Sequence, residues 1–312
     1  MTSSSGVCHS VIAVKLTQVE EFVSIADAGS IRAAARVRGV SQPAVTKNLR
    51  ALERELGAPL VRRTARGIEL TPFGQLFLTR ARNVCRELER SRAELAQEMA
   101  GKAGEIVVGS APGAAAVLLP PAIARLYRQS PDAEIRIVEG MPHATLPRVR
   151  DGAFDFAIGP LPSEPLPPDI AATALFRIEM AIVVRRGHPQ AKARSVTALA
   201  DYDWMTAGLS SERVVVDDMF RVARLPPPRW RIRCESISAL IAIAARTDMV
   251  VTMPRPLIAL GIAGGLLEIV NLREKRSVAS EVFLFAKRDS PLTPVSAIFA
   301  KLLKEEAKRA KP

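Results

Sequence analysis

One helical segment constrains the N-terminal part of this 312-residue chain more than any other feature does. Four apolar residues recur along it at intervals of four, three and four: Val45, Leu49, Leu52 and Leu56. This spacing gives a helix over residues 41–56 a single apolar face. Ser41 is a favourable N-cap, and Pro43 lies in the first turn, where a proline removes no helical hydrogen bond. The segment therefore predicts a helix whose first turn is polar and exposed.

Two shorter helices are predicted before it. Residues 30–38 contain a run of alanines with high helix propensity, and Gly39 ends this predicted helix. Apolar residues at helical spacing predict an earlier helix that ends at Gly29: Leu16, Val19, Phe22, Val23 and Ala26. Three such helices form a helix-turn-helix domain, whose last helix enters the DNA major groove with its first turn. We therefore expect a set of residues from this helix to contact DNA: Ser41, Gln42, Pro43, Thr46, Lys47 and Arg50.

A basic hairpin is predicted after Gly57. Residues 60–70 alternate in polarity around a glycine-containing tip and carry three arginines: Arg62, Arg63 and Arg66. A solvated basic loop is one interpretation. Directly after a recognition helix, the pattern is more typical of a wing that lies on phosphates or enters a minor groove, where arginine is favoured. We expect Arg63 and Arg66 to contact DNA in this way.

A long helix is predicted from Thr71 to Gly101. Six of its residues keep the 4-3-4-3-4 spacing of a two-stranded coiled coil: Phe77, Ala81, Val84, Leu88, Ser91 and Leu95. Thirty helical residues span about 45 Å. An amphipathic helix packed on its own domain is the alternative. Because arginines and glutamates cover the rest of the helix, we expect the six residues to form a dimerisation seam.

Beyond Gly104 the sequence alternates between predicted strands and helices. A first set has strands at 105–109, 134–138 and 154–159, with helices at 117–129 and 144–150. A second set has strands at 179–185, 203–206, 229–234 and 249–253, with helices near 211–223 and 236–246. This alternation predicts an α/β fold built from Rossmann-like strand–helix units.

Composition is consistent with a globular protein of a reducing compartment. The net charge of +12 favours nucleic acid as a partner, although the basic excess is spread along the chain. The three cysteines are isolated and only three histidines are present, so we expect neither disulfides nor a metal site. No apolar stretch approaches the roughly 18 residues of a membrane span. The first 14 residues are a weak match to a secretion signal, and we expect them to be a disordered extension.

The N-terminal motifs carry a family resemblance. They are Gly29-Ser30, Ala34-Ala35, Ser41-Gln42-Pro43-Ala44-Val45-Thr46, Leu52-Glu53, Leu56-Gly57, Pro59-Leu60, Arg63, Arg66, Leu70-Thr71 and Gly74. The run resembles the signature of the LysR-type transcriptional regulators. Arg38, Val61 and Phe73 depart from it, because the family usually has a buried leucine, a phenylalanine and an alanine at these positions.

The resemblance implies an architecture in three parts. These are a winged helix-turn-helix domain at 15–73, a dimerising linker helix at 74–101, and an effector-binding domain at 104–312 whose two lobes are like those of periplasmic binding proteins. Lobe I would comprise 104–178 and 282–312, and lobe II 179–281. The chain would cross between the lobes near 177–180 and return near 279–284. The resemblance further implies a cytoplasmic regulator of transcription.

Candidate effector-binding residues follow from strand ends, where helix N-termini offer free backbone amides to a ligand. In lobe I they are Ser110, Ala111, Pro112, Gly113, Met141, His143, Gly159 and Pro160. In lobe II they are Thr206, Gly208, Ser210, Ser211, Met253 and Pro254. Hydroxyls, amides and methionines suit a small organic acid, a carboxylate or sulfonate with an apolar or aromatic body. Loop or capping roles remain the alternative for each residue, above all for Ser211 and His143.

Two other classes of protein are less consistent with the sequence. An α/β enzyme is disfavoured because the sequence lacks a nucleophile elbow, a phosphate loop, a dinucleotide-binding glycine motif and metal-spaced histidines. A transport-type solute-binding protein would share the second domain, but it needs export, whereas this chain has a predicted DNA reader at its N-terminal end. We expect a homodimer or homotetramer that uses no cofactor and no membrane. Its expected partners are double-stranded promoter DNA and the acid, with RNA polymerase as a further candidate.

Overall fold

The computed structural model describes residues 14–64, 67–100, 104–206, 210–261, 263–273, 279–288 and 290–310. The chain divides into two compact units, the first ending at Leu95 and the second beginning at Ala96. Because each unit is compact by itself, the two are taken in turn.

The first unit consists of three short helices, a hairpin and a long helix. These are α1 (Leu16–Ala28), α2 (Ile31–Arg38), α3 (Gln42–Leu56), β1 (Val61–Thr64), β2 (Gly67–Leu70) and α4 (Pro72–Ala100). The predicted apolar faces are confirmed, because Phe22 and Ile25 of α1 pack with Val45 and Leu52 of α3 in a core from which water is excluded. Gly39, with a φ of 67°, ends α2 and makes the tight turn into α3.

Arg38 replaces the buried apolar residue of the family pattern without entering the core. Its guanidinium forms an ion pair with Glu20 of α1, and both side chains remain partly exposed. The end of α2 is therefore joined to α1 by a charged contact at the surface of the core.

The first turns of α4 belong to this unit's own core. Ala81 is almost fully buried there, and the ring of Phe77 lies 5.5 Å from that of Phe22. Phe77 and Ala81, expected in a seam between two chains, thus also contact the core of their own unit, Ala81 almost fully buried and Phe77 partly, and their part in such a seam stays a prediction. Their heptad positions coincide with the face that packs on α1, and spacing alone cannot distinguish an internal partner from an external one.

The second unit is a continuous sheet covered by helices. Its strands are β3 (Glu105–Ser110), β4 (Glu134–Glu139), β5 (Phe156–Pro160), β6 (Ile170–Arg185), β7 (Asp203–Thr206), β8 (Arg229–Arg233), β9 (Val250–Pro254), β10 (Leu267–Ile269) and β11 (Ala279–Lys287). Its α-helices are α5 (Pro112–Gln129), α6 (Pro142–Arg150), α7 (Ser210–Val222), α8 (Ile237–Ala244), α9 (Arg255–Ala259) and α10 (Pro294–Arg309). A 3-10 turn at Val196–Leu199 completes the described elements.

The sheet passes through both lobes. In lobe I the strand order is β4-β3-β5-β11-β6, in which the first three strands are parallel and β11 is antiparallel to its two neighbours. In lobe II the order is β6-β9-β7-β8, and β10 pairs with the end of β6. Helices α5 and α10 cover one face of lobe I and α6 the other, whereas α7 and α8 cover opposite faces of lobe II.

Strand β6 is longer than the sequence predicted. The predicted strand began at Glu179, but β6 begins at Ile170 and pairs with β11 before it reaches lobe II. Its first half contains several small alanines, which give no clear alternation, and the pairing partner is more than 100 residues away in sequence. The residues at which the crossings are predicted, 177–180 and 279–284, lie in β6 and β11.

The chain can enter α4 at Gly74 because this residue has no side chain. A Cβ atom at this position would lie 2.0 Å from the backbone carbonyl oxygen of Leu60. We expect Gly74→Ala to destabilise the first unit by about 1–3 kcal/mol, because a backbone contact cannot relax as a flexible side chain can. Thermal unfolding followed by circular dichroism measures this loss. Gln75→Ala, at the exposed next residue, is the control, and equal melting temperatures for the two variants would contradict the prediction.

Candidate functional site

The exposed face of α3 presents polar side chains at its first turn. Ser41 caps the helix by accepting a hydrogen bond from the Ala44 amide at 3.4 Å. Gln42, Pro43 and Lys47 are exposed on this face, while Val45 between them is fully buried. Burial of one face thus holds the other in a fixed orientation toward solvent.

Thr46 lies on the same face but uses its hydroxyl internally. The hydroxyl donates to the Gln42 carbonyl oxygen at 2.9 Å, as threonines in helices often do. The hydroxyl hydrogen is thus used within the helix, whereas the oxygen keeps acceptor capacity, so the predicted contact of Thr46 with DNA stays a prediction.

Glu53 fixes the hairpin relative to α3. One carboxylate oxygen, Oε1, accepts hydrogen bonds from the backbone amides of Leu60 at 2.8 Å and Val61 at 3.3 Å. A broad concave surface of about 1200 Å³ lies between the first turn of α3 and this junction. The residues that line it are Gln42, Pro43, Thr46, Lys47, Arg50, Glu53, Arg54, Gly57, Ala58 and Pro59.

The hairpin is a two-stranded antiparallel ribbon. Arg62 lies opposite Glu69, and its Nη2 atom forms an ion pair with Oε2 of that residue at 2.7 Å. The Arg63 backbone pairs with Ile68, but the Arg63 side chain and the whole of Arg66 lie outside the described residues. The ribbon therefore has one arginine already neutralised by its neighbour, and the predicted contacts of Arg63 and Arg66 stay predictions.

Further along α4, apolar side chains face solvent. Val84 is 53% exposed and Leu95 is 63% exposed, and Leu88 between them is half-buried. The Ser91 hydroxyl donates to the Glu87 carbonyl oxygen at 2.9 Å. These four positions remain the candidate seam. Cys85 beside them is a poor thiolate, because burial, assisted by Glu20 and Glu89, raises the pKa of its thiol.

A small inner cavity lies between the two lobes of the second unit. Its volume is about 40 Å³. Six of the predicted effector residues line it: Ala111, Pro112, Gly113, Met141, Pro160 and Pro254. The cavity wall is almost entirely apolar. The amides of Gly113 and Ala114 precede the first hydrogen bond within α5, which the Ala115 amide donates to Ala111 at 2.9 Å, so they offer the positive end of the helix to this space.

The lobes touch at Gly113. A Cβ atom there would lie 2.8 Å from Cδ1 of Ile178 and 2.8 Å from Cγ of Pro254. The lack of a side chain at Gly113 thus lets the start of α5 approach side chains of β6 and β9 closely. The cavity is small because these two side chains occupy the space next to the helix N-terminus.

Several predicted effector residues lie behind the cavity wall. Ser110 is fully buried and its hydroxyl donates to the Ala111 carbonyl oxygen at 3.2 Å. Met253 and Thr206 are also buried, with Met253 in the core beside α8. Gly159 is packed against Ala111 and Pro142. These residues shape the strands that carry the cavity, and reaching them would require the wall to open.

Of the remaining predicted residues, three lie wholly or partly outside the described residues and one is exposed. Gly208 lies outside the described residues, as do the side chains of Ser210 and Ser211, although the backbone of both serines begins α7. His143 is exposed at the start of α6, where its Nε2 atom lies 3.2 Å from Oε2 of Glu235 in lobe II.

Sequence reasoning missed part of the lining. The additional residues are Ala114, Ile178, Met180, Glu235, Ile237, Ser280 and Val282. Glu235 follows the end of β8, so the rule that ligands bind at the carboxyl ends of strands would have found it. Ile178, Met180, Ser280 and Val282 lie on β6 and β11, whose pairing has no local signal in the sequence.

In the described part of the chain, no group of three or more His, Cys, Asp or Glu side chains is placed to hold a metal ion. Within the same residues, no helix is long and apolar enough to cross a membrane.

Comparisons with known protein families match both units. Residues 16–75 match the model of the bacterial regulatory helix-turn-helix proteins of the lysR family, and residues 99–308 match the LysR substrate binding domain. The chain is 32% identical to the transcriptional regulator GbpR of Azospirillum brasilense over 285 residues, which are 90% of this chain and 83% of that protein. It is 28% identical to PcaQ of Agrobacterium fabrum over 290 residues, 91% of this chain and 93% of PcaQ.

Solved structures have the same fold. The crystal structure of CbnR, a LysR family transcriptional regulator, superimposes with a TM-score of 0.69 at 20% identity, over 94% of this chain and 99% of CbnR. Full-length LysG from Corynebacterium glutamicum, with bound effector Arg, gives a TM-score of 0.67 at 16% identity, over 96% of this chain and all of LysG. The arrangement of helix-turn-helix domain, long helix and two-lobed α/β domain is therefore confirmed.

Gly113 offers a direct test of the contact between the lobes. We expect Gly113→Ala to push Ile178 and Pro254 away from α5 and to destabilise the second unit by about 1–3 kcal/mol. Amide hydrogen exchange of β6 around residues 176–180 should become faster, and the melting temperature of the unit should fall. Gly140→Ala is the matched control, since the nearest atom to its new Cβ would be a threonine methyl group at 3.3 Å. Equal exchange in the two variants would show that the lobes do not depend on this contact.

Proposed function

Since the chain belongs to the LysR family of DNA-binding transcriptional regulators, we propose that it reads promoter DNA through the first turn of α3 and responds to a small organic acid bound between its lobes. One observation carries the proposal for DNA. The polar, exposed face formed by Gln42, Pro43, Lys47 and Arg50 lies on a helix whose opposite face is buried in the core. A recognition helix needs this combination of fixed orientation and free polar groups.

The contacts of this face divide by chemistry. A glutamine amide suits the paired donor and acceptor of adenine, so Gln42 is proposed to read a base edge. Lys47 and Arg50, with Arg63 and Arg66 of the wing, are proposed to contact phosphates or a minor groove. Glu53 positions the wing by binding the amides of Leu60 and Val61, and it makes no DNA contact itself.

Two chains are proposed to associate through α4. The first half of the helix is packed on its own unit, so the exposed residues Val84 and Leu95, with Leu88 and Ser91, are left to meet a second copy. Apolar side chains at this spacing favour helix pairing. Pairing would place two reading faces on successive half-sites of an operator, as a dimer or as a dimer of dimers.

The effector is proposed to act through the separation of the lobes. An inner cavity of about 40 Å³ is far smaller than the several hundred Å³ typical of ligand sites, so the lobes must part to admit a molecule. A ligand that binds the parted arrangement better shifts the population toward it. The amides at the start of α5 favour a negatively charged group, and the apolar wall favours an aliphatic or aromatic body.

We propose neither a catalytic activity nor export for this protein. The cavity wall presents Ser280 and Glu235 as its polar side chains, and among the described residues no hydrogen bond joins this serine to the carboxylate to activate it as a nucleophile. The DNA-binding unit places the site of action where promoter DNA is found, so we propose that the protein works in the cytoplasm without a cofactor. RNA polymerase remains a further candidate partner.

Gln42 tests the reading of bases. We expect Gln42→Ala to weaken binding to the operator, selected from random DNA by the wild-type protein, by about 1–3 kcal/mol through relaxed preference at one position of each half-site. Arg50→Ala should instead weaken operator and scrambled DNA alike and reduce the slope of affinity against salt concentration by about one. Fluorescence anisotropy at several salt concentrations distinguishes the two variants. Gln75→Ala is the control, and a Gln42→Ala protein with unchanged base preference would contradict the assignment.

Leu95 tests the association of chains. It is exposed in one chain, so an aspartate there should not disturb the fold of its own unit. At a helix–helix interface, however, Leu95→Asp would bury unpaired charge and cost several kcal/mol. We expect smaller species in sedimentation and weaker operator binding, whereas Glu87→Gln on the same helix should behave as wild type. A fully associated Leu95→Asp protein would place the interface elsewhere.

A further inference from the structure

A second, outer cavity lies at the edge of the cleft beside the inner one. Its volume is about 460 Å³, and it shares Met141 with the inner cavity. Lobe I contributes most of its wall, including Leu146, Leu161 and a run of prolines, and lobe II contributes Arg233. The outer cavity is therefore large enough for a small organic molecule while the inner cavity is closed.

One carboxylate separates the two cavities. Oε2 of Glu235 lies 3.2 Å from Nε2 of His143, and Oε1 lies 3.6 Å from Nη2 of Arg233. Glu235 lines the inner cavity, whereas His143 and Arg233 line the outer one. Each oxygen of the Glu235 carboxylate thus faces a side-chain nitrogen that lines the outer cavity. The contact between Glu235 and His143 joins lobe II to lobe I.

These contacts are placed where a ligand can replace them. The side chains of His143, Glu235 and Arg233 are 57%, 45% and 62% exposed. Exposed pairs of this kind contribute little stability, since water competes for both partners. An incoming carboxylate can therefore exchange with Glu235 at small cost.

We infer that the outer cavity binds the carboxylate of an organic acid through Arg233 and His143, and that Glu235 is its internal competitor. The inference rests on the proposed acid response and assigns the groups that recognise the acid. Binding releases Glu235 from His143, so a contact that crosses between the lobes is lost as the ligand arrives. The inner cavity, which Glu235 borders, then loses a charged contact at its edge and is free to widen, while the apolar body of the acid lies against the wall of the outer cavity.

The other charged groups of the outer cavity define the ligand further. Arg150 is engaged by Asp169 through its Nε atom at 3.2 Å, so its charge is already balanced within lobe I. Glu164 also lines the cavity and would repel a second negative group. The apolar part of the wall, from Leu146 and Leu161, suits a hydrocarbon body. The ligand class that fits is a monocarboxylate with an aliphatic or aromatic body.

Two substitutions with opposite expected effects test the inference. The full-length protein is titrated by calorimetry with acetate, butyrate, benzoate and phenylacetate, each paired with its uncharged amide. Glu235→Gln removes the competitor, and we expect acid affinity to rise about two- to fivefold, the equivalent of one exposed ion pair. Arg233→Gln removes the main cation, and we expect acid affinity to fall about tenfold. The amides should bind weakly to every variant, with no such differences.

Glu179→Gln is the matched control, because Glu179 forms a similar exposed pair with Arg255 at 3.9 Å but lines neither cavity. It should bind acids as the wild-type protein does. Amides that bind as tightly as acids would overturn the inference, and so would equal acid affinities in the wild type, Glu235→Gln and Arg233→Gln. If acid binding is insensitive to both variants but is lost in Gly113→Ala, the proposed effector site stands and this inference falls.

If none of the acids binds the wild type or Glu235→Gln, both the acid class and the inference are overturned. Operator binding is measured on the same samples and reports on DNA reading separately. A failure of acid binding is therefore distinguishable from a failure of the DNA-binding assignment.

Discussion

The pairing of β6 with β11 is the constraint on which the second unit depends. β6 is hydrogen-bonded to β11 in lobe I and continues without interruption to pair with β9 and β10 in lobe II. Because β6 belongs to both lobes, its partner changes from β11 to β9 within one strand, near Met180. The inner cavity lies against this segment, with Ile178 and Met180 in its lining.

The cleft combines two kinds of contact with different strengths. At its centre, Gly113 is packed against Ile178 and Pro254, and such apolar contact is insensitive to charge or salt. At its edge, Glu235 lies in water-exposed contact with His143 and Arg233, and these contacts are readily exchanged. The exchangeable contacts are thus the ones exposed to solvent, and the apolar contact lies at the centre of the cleft.

The first unit places partly exposed charged side chains at positions that set its geometry. Glu53 accepts hydrogen bonds from two backbone amides at the junction of α3 and the wing. Glu20 forms an ion pair with Arg38 at the end of α2. Both contacts join segments that are separate in sequence at the boundary of the apolar core. The orientation of the reading face thus depends on core packing together with a few polar contacts around it.

The sequence by itself determined the first unit closely, because its signals are local: the spacing of Val45, Leu49 and Leu52, the cap at Ser41 and the glycines that end the first three helices all act within a few residues. It also predicted the α/β class, and six of its candidate effector residues line the inner cavity. Only the tertiary structure decided that Phe77 and Ala81 pack inward, that Ser110 and Met253 lie behind the wall, and that Glu235 meets His143. Those outcomes depend on which distant segments become neighbours, and periodicity in one segment carries no information about the segment it will face.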